Sequence, residues 1–321
     1  MGVFVYPEKG ENPLCRFTFY RGEALPISHL ITEPIHSLIH QSYHSEEREE
    51  PLNGDGFGLA WYVEGSTESA VFRAVTPAWS NRNLRELARV TESGCFLAHV
   101  RAATQVLEVS ETNCHPFKHG RYTFMHNGDV GGFHAIRRPL LASLGDRAFS
   151  SIHGSTDSEH LFALFLDEME RSGDGSGLEV MAEALDRAID RAMDLAAEHA
   201  PGEPSYLNLV LCDGASAIAC RYVTEAVESA ESLYVARGHY VWKDGAARIL
   251  PAKPGEGAVL VSSERIGADP AWEPAPVGWW LMITPEREVS YRPMRVGPGF
   301  DHPPRVSSRP ASREPTAGAP G

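Results

Sequence analysis

The sequence predicts an α+β fold built on largely antiparallel sheets. Three observations carry this prediction. Strand-like segments come first, the strongest helical patterns follow in mid-chain, and strand-like segments then return. There is little of the strand–helix–strand alternation that a doubly wound parallel sheet requires. Several of the later strand candidates are separated by hairpin-like turns.

Taken in order, the first apolar run alternates. Cys15, Phe17 and Phe19 face one way and Arg16, Thr18 and Tyr20 the other, which is a strand pattern. "PIHSLIHQSYHS" predicts a short helix with Ile35, Leu38, Ile39 and Ser42 on one side. "NGDGFGLAWYV" reads as a glycine-rich turn entering a strand, "NRNLRELARVT" as a helix and "CFLAHVRAAT" as a strand. "RYTFMHNGDVGGF" reads as a strand ended by an Asn-Gly turn, and "HAIRRPLLASL" as a helix.

"GSTDSEHLFALFLDEMER" opens with a capping box, Thr156 as N-cap and Glu159 three residues on. In the next helix Leu178, Met181, Leu185, Ile189 and Ala192 recur at helical spacing, and Glu183 can pair with Arg187. Six strand candidates follow: "YLNLVLCDG", "SAIACRYV", "SLYVAR", "GAVLVSS", "GWWLMITP" and "EVSYRP". Residues 294–321 are expected to form a disordered tail, since from Gly297 the chain is Pro, Arg, Ser and Gly with almost no large apolar side chains. No internal repeat is present.

Bulk properties exclude some functions. With 321 residues, 42% of them apolar, the chain can bury a substantial core. Its 43 acidic side chains against 29 basic ones give −14, a surface that repels phosphate backbones and argues against a nucleic-acid partner. No stretch approaches the roughly 18 apolar residues of a membrane span. Residues 1–14 lack the basic and apolar regions of a secretory signal. Five widely spaced cysteines, an odd number, fit reduced thiols in a cytoplasm rather than a disulfide framework.

Four stretches place polar residues at the ends of apolar strands or helices. Cys95, Leu97, His99 and Arg101 share one face. An arginine at the end of a buried strand needs a carboxylate partner, either an internal one or that of a substrate gripped bidentately. Asn127-Gly128 is either a tight turn or an oxyanion-binding pair. Asp157, in the first turn of a helix, either complements the helix dipole or binds a substrate ammonium. Cys15 is either a core thiol or a nucleophile. As a nucleophile it could be paired with His99, His115 or His126 as base, although no caspase- or papain-type signature is present. Cys114, His115 and His119 could instead ligate a metal, but no Cys-x-x-Cys accompanies them.

Together, Cys-Arg-Phe, "NGDGFGLAWY", "PAWSNRNLREL", "AHVRAAT", "ETNCHPFKHGRYTFMHNGDVGGF" and "GSTDSEHLF", in this order, resemble the class II glutamine amidotransferases. The nearest branch in appearance is the stand-alone glutathione-degradation and ergothioneine-biosynthesis γ-glutamyl amidohydrolases. The resemblance covers Cys15 to about Phe165 closely and continues more loosely to about Pro293.

The resemblance implies the N-terminal nucleophile hydrolase fold, an αββα four-layer sandwich of two antiparallel sheets, over residues 15–293. It implies hydrolysis of the glutamine side-chain amide, or of a γ-glutamyl compound, through a cysteinyl thioester, without metal or organic cofactor. It further implies Cys15 as nucleophile, Arg101 as the clamp on the α-carboxylate, Asn127 and Gly128 as oxyanion hole, and Asp157 as partner of the α-ammonium. The product ammonia or amine would be released or passed to an ammonia-accepting or peptidase partner subunit. The alternative is a catalytically silent regulatory or scaffold subunit with the same fold.

Two departures stand out. Asp129 follows "HNG" where an uncharged residue is expected, and it should point away from the oxyanion site. "SSERIG" keeps only Ser263 and Glu264 of a Ser-Glu-Pro-Leu pattern, and neither is assigned to the site. Finally, a nucleophile that uses its own α-amine must be the first residue. Residues 1–14 are therefore expected to be a propeptide or to precede a true start at Leu14.

Overall fold

The computed structural model describes residues 15–44, 52–102, 109–173, 175–243 and 246–295. Residues 1–14 and 296–321, expected as a leader and as most of the tail, lie outside these.

Fourteen strands are described: β1 (Arg16–Pro26), β2 (Phe57–Tyr62), β3 (Ser69–Ala74), β4 (Glu92–Val100), β5 (Phe117–His119), β6 (Tyr122–Asp129), β7 (Tyr206–Cys212), β8 (Ala217–Val223), β9 (Tyr234–Lys243), β10 (Ala246–Leu250), β11 (Ala258–Ser262), β12 (Glu273–Pro274), β13 (Trp279–Ile283) and β14 (Val289–Pro293). The helices are α1 (Ser28–Ile31), α2 (Leu38–Gln41), α3 (Arg82–Val90), α4 (Phe133–Ser143), α5 (Asp146–Ser150), α6 (Asp157–Arg171) and α7 (Leu178–His199).

One sheet runs β10-β9-β11-β1-β4-β2-β3, with β12 beside β9; the other runs β14-β13-β8-β7-β6-β5. The ladders between these strands are all antiparallel.

Strand alternation builds the layers. Phe17 and Phe19 of β1 point between the sheets, against Met125, Val210 and Leu281, while Tyr20 joins the opposite face with Phe96 and Leu30. In β13, Leu281 and Ile283 enter the middle layer, and Trp280 and Met282 pack under the long helices. The result is helices, sheet, sheet, helices: the expected αββα sandwich. Helices α6 and α7 are joined by Arg191, which donates to Asp167 at 2.6 Å and to Glu168 at 2.7 Å.

Several expectations change. The helix predicted over "PIHSLIHQSYHS" shrinks to α2, because Ser37 caps it by accepting from the His40 N–H. Ile35 lies before that cap and is 74% exposed. The Asn-Gly turn is absent: β6 continues through it, with Asn127 opposite Asn208 and Gly128 opposite Leu207. Thr156 caps α6 as expected, but the capping box is only half made. The Glu159 carboxylate accepts from the N–H groups of His153 (2.9 Å) and Gly154 (2.6 Å). Arg187 reaches Glu183 only at 3.9 Å and bonds Glu168 at 2.9 Å instead. Met294 is buried and the Arg295 N–H donates to Asp186, so the first residues of the expected tail belong to the fold.

Candidate active site

Cys15 lies immediately before β1, the strand between β4 and β11. The next residues lock it in place. Arg16 Nε donates to Glu264 Oε1 at 2.6 Å, with both side chains buried. The Phe17 N–H donates to Ser263 Oγ at 3.1 Å, and the Ser263 N–H returns to the Phe17 carbonyl at 3.0 Å. Ser263 and Glu264, left unassigned on the sequence, therefore fix the start of β1. No local pattern names this pair: an arginine that turns out to be buried requires an acid, but the sequence does not say which one.

The Cys15 thiol faces the Ala102 carbonyl at 3.7 Å. Burial pushes it up to about 11, opposed by that contact, by Arg101 and by Arg16, and reinforced by Asp157. At neutral pH it is a thiol rather than a thiolate, so nucleophilic chemistry here needs a base.

Arg101 follows β4. Its backbone is tied to Gly56 and Asp55, but its Nη1 and Nη2 are buried without a hydrogen-bond partner among the described residues. The internal salt bridge considered from the sequence is not formed among the described residues. A buried guanidinium with both terminal nitrogens unpaired is costly unless a ligand completes it.

On the other sheet, β6 carries Asn127 and Gly128. Asn127 is buried, with Oδ1 unpartnered. Gly128 has φ 149°, and a Cβ there would overlap the Tyr206 carbonyl oxygen. Glycine is thus demanded by the neighbouring strand, not only by ligand approach. One residue past β6, the Val130 N–H donates to Asp157 Oδ2 at 2.9 Å, which joins this strand to the first turn of α6.

The charges of Arg101 and Asp157 both act on Cys15, and Val130 links Asp157 to the Asn127–Gly128 strand. Arg101 and Asp157 therefore lie close to Cys15, and Asn127 and Gly128 lie on the strand that Val130 joins to Asp157. Asp129 is not remote from them. Burial, then Asp157 and Glu203, raise its carboxyl to about 7.

Of the histidines considered as bases, His99 and His126 contact other groups through ring nitrogens, and His115 only stacks, its ring nitrogens unpartnered among the described residues. His99 stacks on His115 at 4.2 Å and its Nε2 faces the His126 carbonyl at 3.3 Å. His126 contacts Ser158 and Tyr206 through its two ring nitrogens. Burial lowers all three, His99 to about 3. None hydrogen-bonds the Cys15 thiol among the described residues. Cys114, His115 and His119 form no cluster suited to a metal among those residues.

The model of the class II glutamine amidotransferase family matches residues 29–287. The chain belongs to the class II glutamine amidotransferases. Its amidotransferase relatives include the probable glutamine amidotransferase DUG3 of Saccharomyces cerevisiae, 38% identical over 78% of this chain and 76% of that protein. The γ-glutamyl-hercynylcysteine sulfoxide hydrolase of Mycobacterium tuberculosis is 30% identical over 42% of this chain and 58% of its own length. A class II domain protein from Silicibacter pomeroyi superposes with TM-score 0.60, at 30% identity, over 87% of this chain and 99% of that one. The phosphoribosylpyrophosphate amidotransferase of B. subtilis, at 15% identity and TM-score 0.54, shares the sandwich over 87% of this chain and 49% of its own.

This chain is thus an enzyme of the glutamine amidotransferase class, which hydrolyses a side-chain amide. No helix among the described residues is long and apolar enough to cross a membrane.

Proposed function

We propose that this enzyme hydrolyses glutamine or a γ-glutamyl amide with Cys15 as nucleophile, Arg101 and Asp157 holding the amino-acid head group, and Asn127 and Gly128 receiving the oxyanion. The single observation that carries the reading is the buried Arg101 guanidinium, unpaired at both terminal nitrogens among the described residues and close to Cys15. A free amino-acid head group offers the complementary carboxylate and ammonium.

The chemistry follows from that placement. The raised thiol of Cys15 requires a base, and its own α-amine, with pKa about 7.7–8.0, suits the task once it is free. The amine takes the thiol proton, and sulfur attacks the amide carbon. The oxyanion forms beside Asn127 and the Gly128 backbone, where the loss of one such donor costs roughly 2.7–4 kcal/mol of barrier. The amine then protonates the leaving nitrogen, and water cleaves the γ-glutamyl thioester to glutamate and free thiol.

A free α-amine means that residues 1–14 are absent from the active form, which leaves residues 15–293 as the catalytic domain. The freed ammonium would also lower the thiol, a cation beside a developing thiolate. Ammonia or amine then leaves to solvent or to a partner that consumes it. The test is to incubate protein beginning at Cys15 with glutamine, γ-glutamyl amides and glutathione and to measure glutamate. Release from at least one is expected; none from any, at any enzyme concentration, would refute the reading.

A further inference from the structure

Asp157 has two carboxylate oxygens in different situations. Oδ2 accepts from the Val130 N–H at 2.9 Å. Oδ1 lies 3.3 Å from the Ser158 hydroxyl oxygen, close enough to accept its proton. That hydroxyl is also 2.9 Å from His126 Nδ1, the shorter of its two contacts.

The proton inventory decides where the Ser158 hydrogen goes. His126 Nε2 is 3.1 Å from the Tyr206 carbonyl, which can only accept, so Nε2 carries the proton. Burial disfavours the charged imidazolium, so Nδ1 is a bare acceptor. Ser158 must therefore donate to Nδ1. A hydroxyl has one proton, so none remains for Asp157 Oδ1. Two acceptor oxygens then face each other, an arrangement that a bound N–H cation relieves.

We propose that His126 fixes the Ser158 hydroxyl so that it presents lone pairs, not its proton, to Asp157, leaving Oδ1 open to the α-ammonium of a γ-glutamyl substrate. His126 and Ser158 are positioning residues in this scheme, and their role rests on Asp157 being the ammonium partner.

The experiment compares His126→Phe, Ser158→Ala and the double variant, all beginning at Cys15. Each is assayed for glutamine hydrolysis and for inhibition by glutaramate, which is glutamine without its α-amino group. In His126→Phe the freed hydroxyl turns to Oδ1 and competes with the ammonium. The Michaelis constant for glutamine should rise about tenfold, the size of one charge-assisted hydrogen bond, while kcat changes less. The inhibition constant for glutaramate should stay unchanged. Ser158→Ala alone should raise the Michaelis constant less than His126→Phe does, because it leaves no proton to cap Oδ1. The double variant should recover most of the loss, because no proton remains to cap Oδ1.

Merely structural damage would persist in the double variant and would weaken glutamine and glutaramate alike; either result overturns the assignment. His126→Leu provides the same comparison if the phenylalanine variant does not fold. Wild type inactive on glutamine and on γ-glutamyl amides would defeat the reading of the site itself. An active wild type with indifferent variants would defeat only the roles of His126 and Ser158.

Discussion

Arg101 shows how a single side chain separates two readings. From the sequence, a buried arginine at a strand end asks only for a carboxylate. In the fold no internal one reaches it among the described residues, and Nη1 and Nη2 stand unpaired. Arg101→Lys keeps a charge but loses the fork. The Michaelis constant for glutamine should rise at least tenfold, about 1.4 kcal/mol or more of binding, with the fold intact by circular dichroism. Unchanged kinetics in a folded variant would leave Arg101 a structural cation. Asp129 is the complementary case, since the sequence marked it only as a departure. Its carboxyl, raised to about 7 by burial, Asp157 and Glu203, keeps a proton in the fold that the unfolded chain loses near 4. Between about pH 4 and pH 7 the folded state therefore binds more protons, and stability falls as pH rises. Asp129→Asn should raise Tm at pH 8 and leave it unchanged at pH 4, measured by calorimetry. Equal effects at both values would contradict the assigned cause.

Among the elements, β6 carries the tightest constraint. It runs past the Asn-Gly pair because Gly128 takes φ 149° against the Tyr206 carbonyl, a backbone that the dipeptide signal alone reads as a turn. Gly128→Ala should destabilise by about 3 kcal/mol, through backbone strain and overlap, and abolish activity. A Tm within a degree of wild type would mean the neighbouring strand yields easily. The helical period of α7 was legible because it buries one face, and the alternation of β1 because aromatic and polar side chains alternate after Cys15, although Arg16–Tyr20 are all buried. The short strands β3, β5, β10 and β12 were not. They have two to six residues and lie toward the sheet margins, where few positions are buried and alternation fades. The Glu159 carboxylate was misread for another reason, since its partners, the N–H groups of His153 and Gly154, lie upstream of the cap.

At the scale of the whole molecule, the proposed site draws on the start of β1, the end of β4, the end of β6 and the start of α6. The polar strand ends along the chain marked Cys15, Arg101, Asn127, Gly128 and Asp157 as candidates, and the family resemblance supplied the roles proposed for them. The contacts that hold them were not legible along the chain. Arg16 finds Glu264 across 248 positions, a pairing that no local pattern encodes. Glu264→Ala should cost about 3–5 kcal/mol by leaving the Arg16 charge buried without that partner, and Glu264→Gln less, as read from denaturant midpoints. No loss in either variant would remove Glu264 from the support of β1. The central claim is that Cys15 acts as the first residue of the active chain. The most direct test is intact-mass and peptide mapping of enzyme from its native host after reaction with an electrophilic glutamine analogue. The account predicts a chain beginning at Cys15 with one adduct on that sulfur. An active enzyme that retains residues 1–14, or an adduct on another residue, would contradict it and hand the role of base to a histidine.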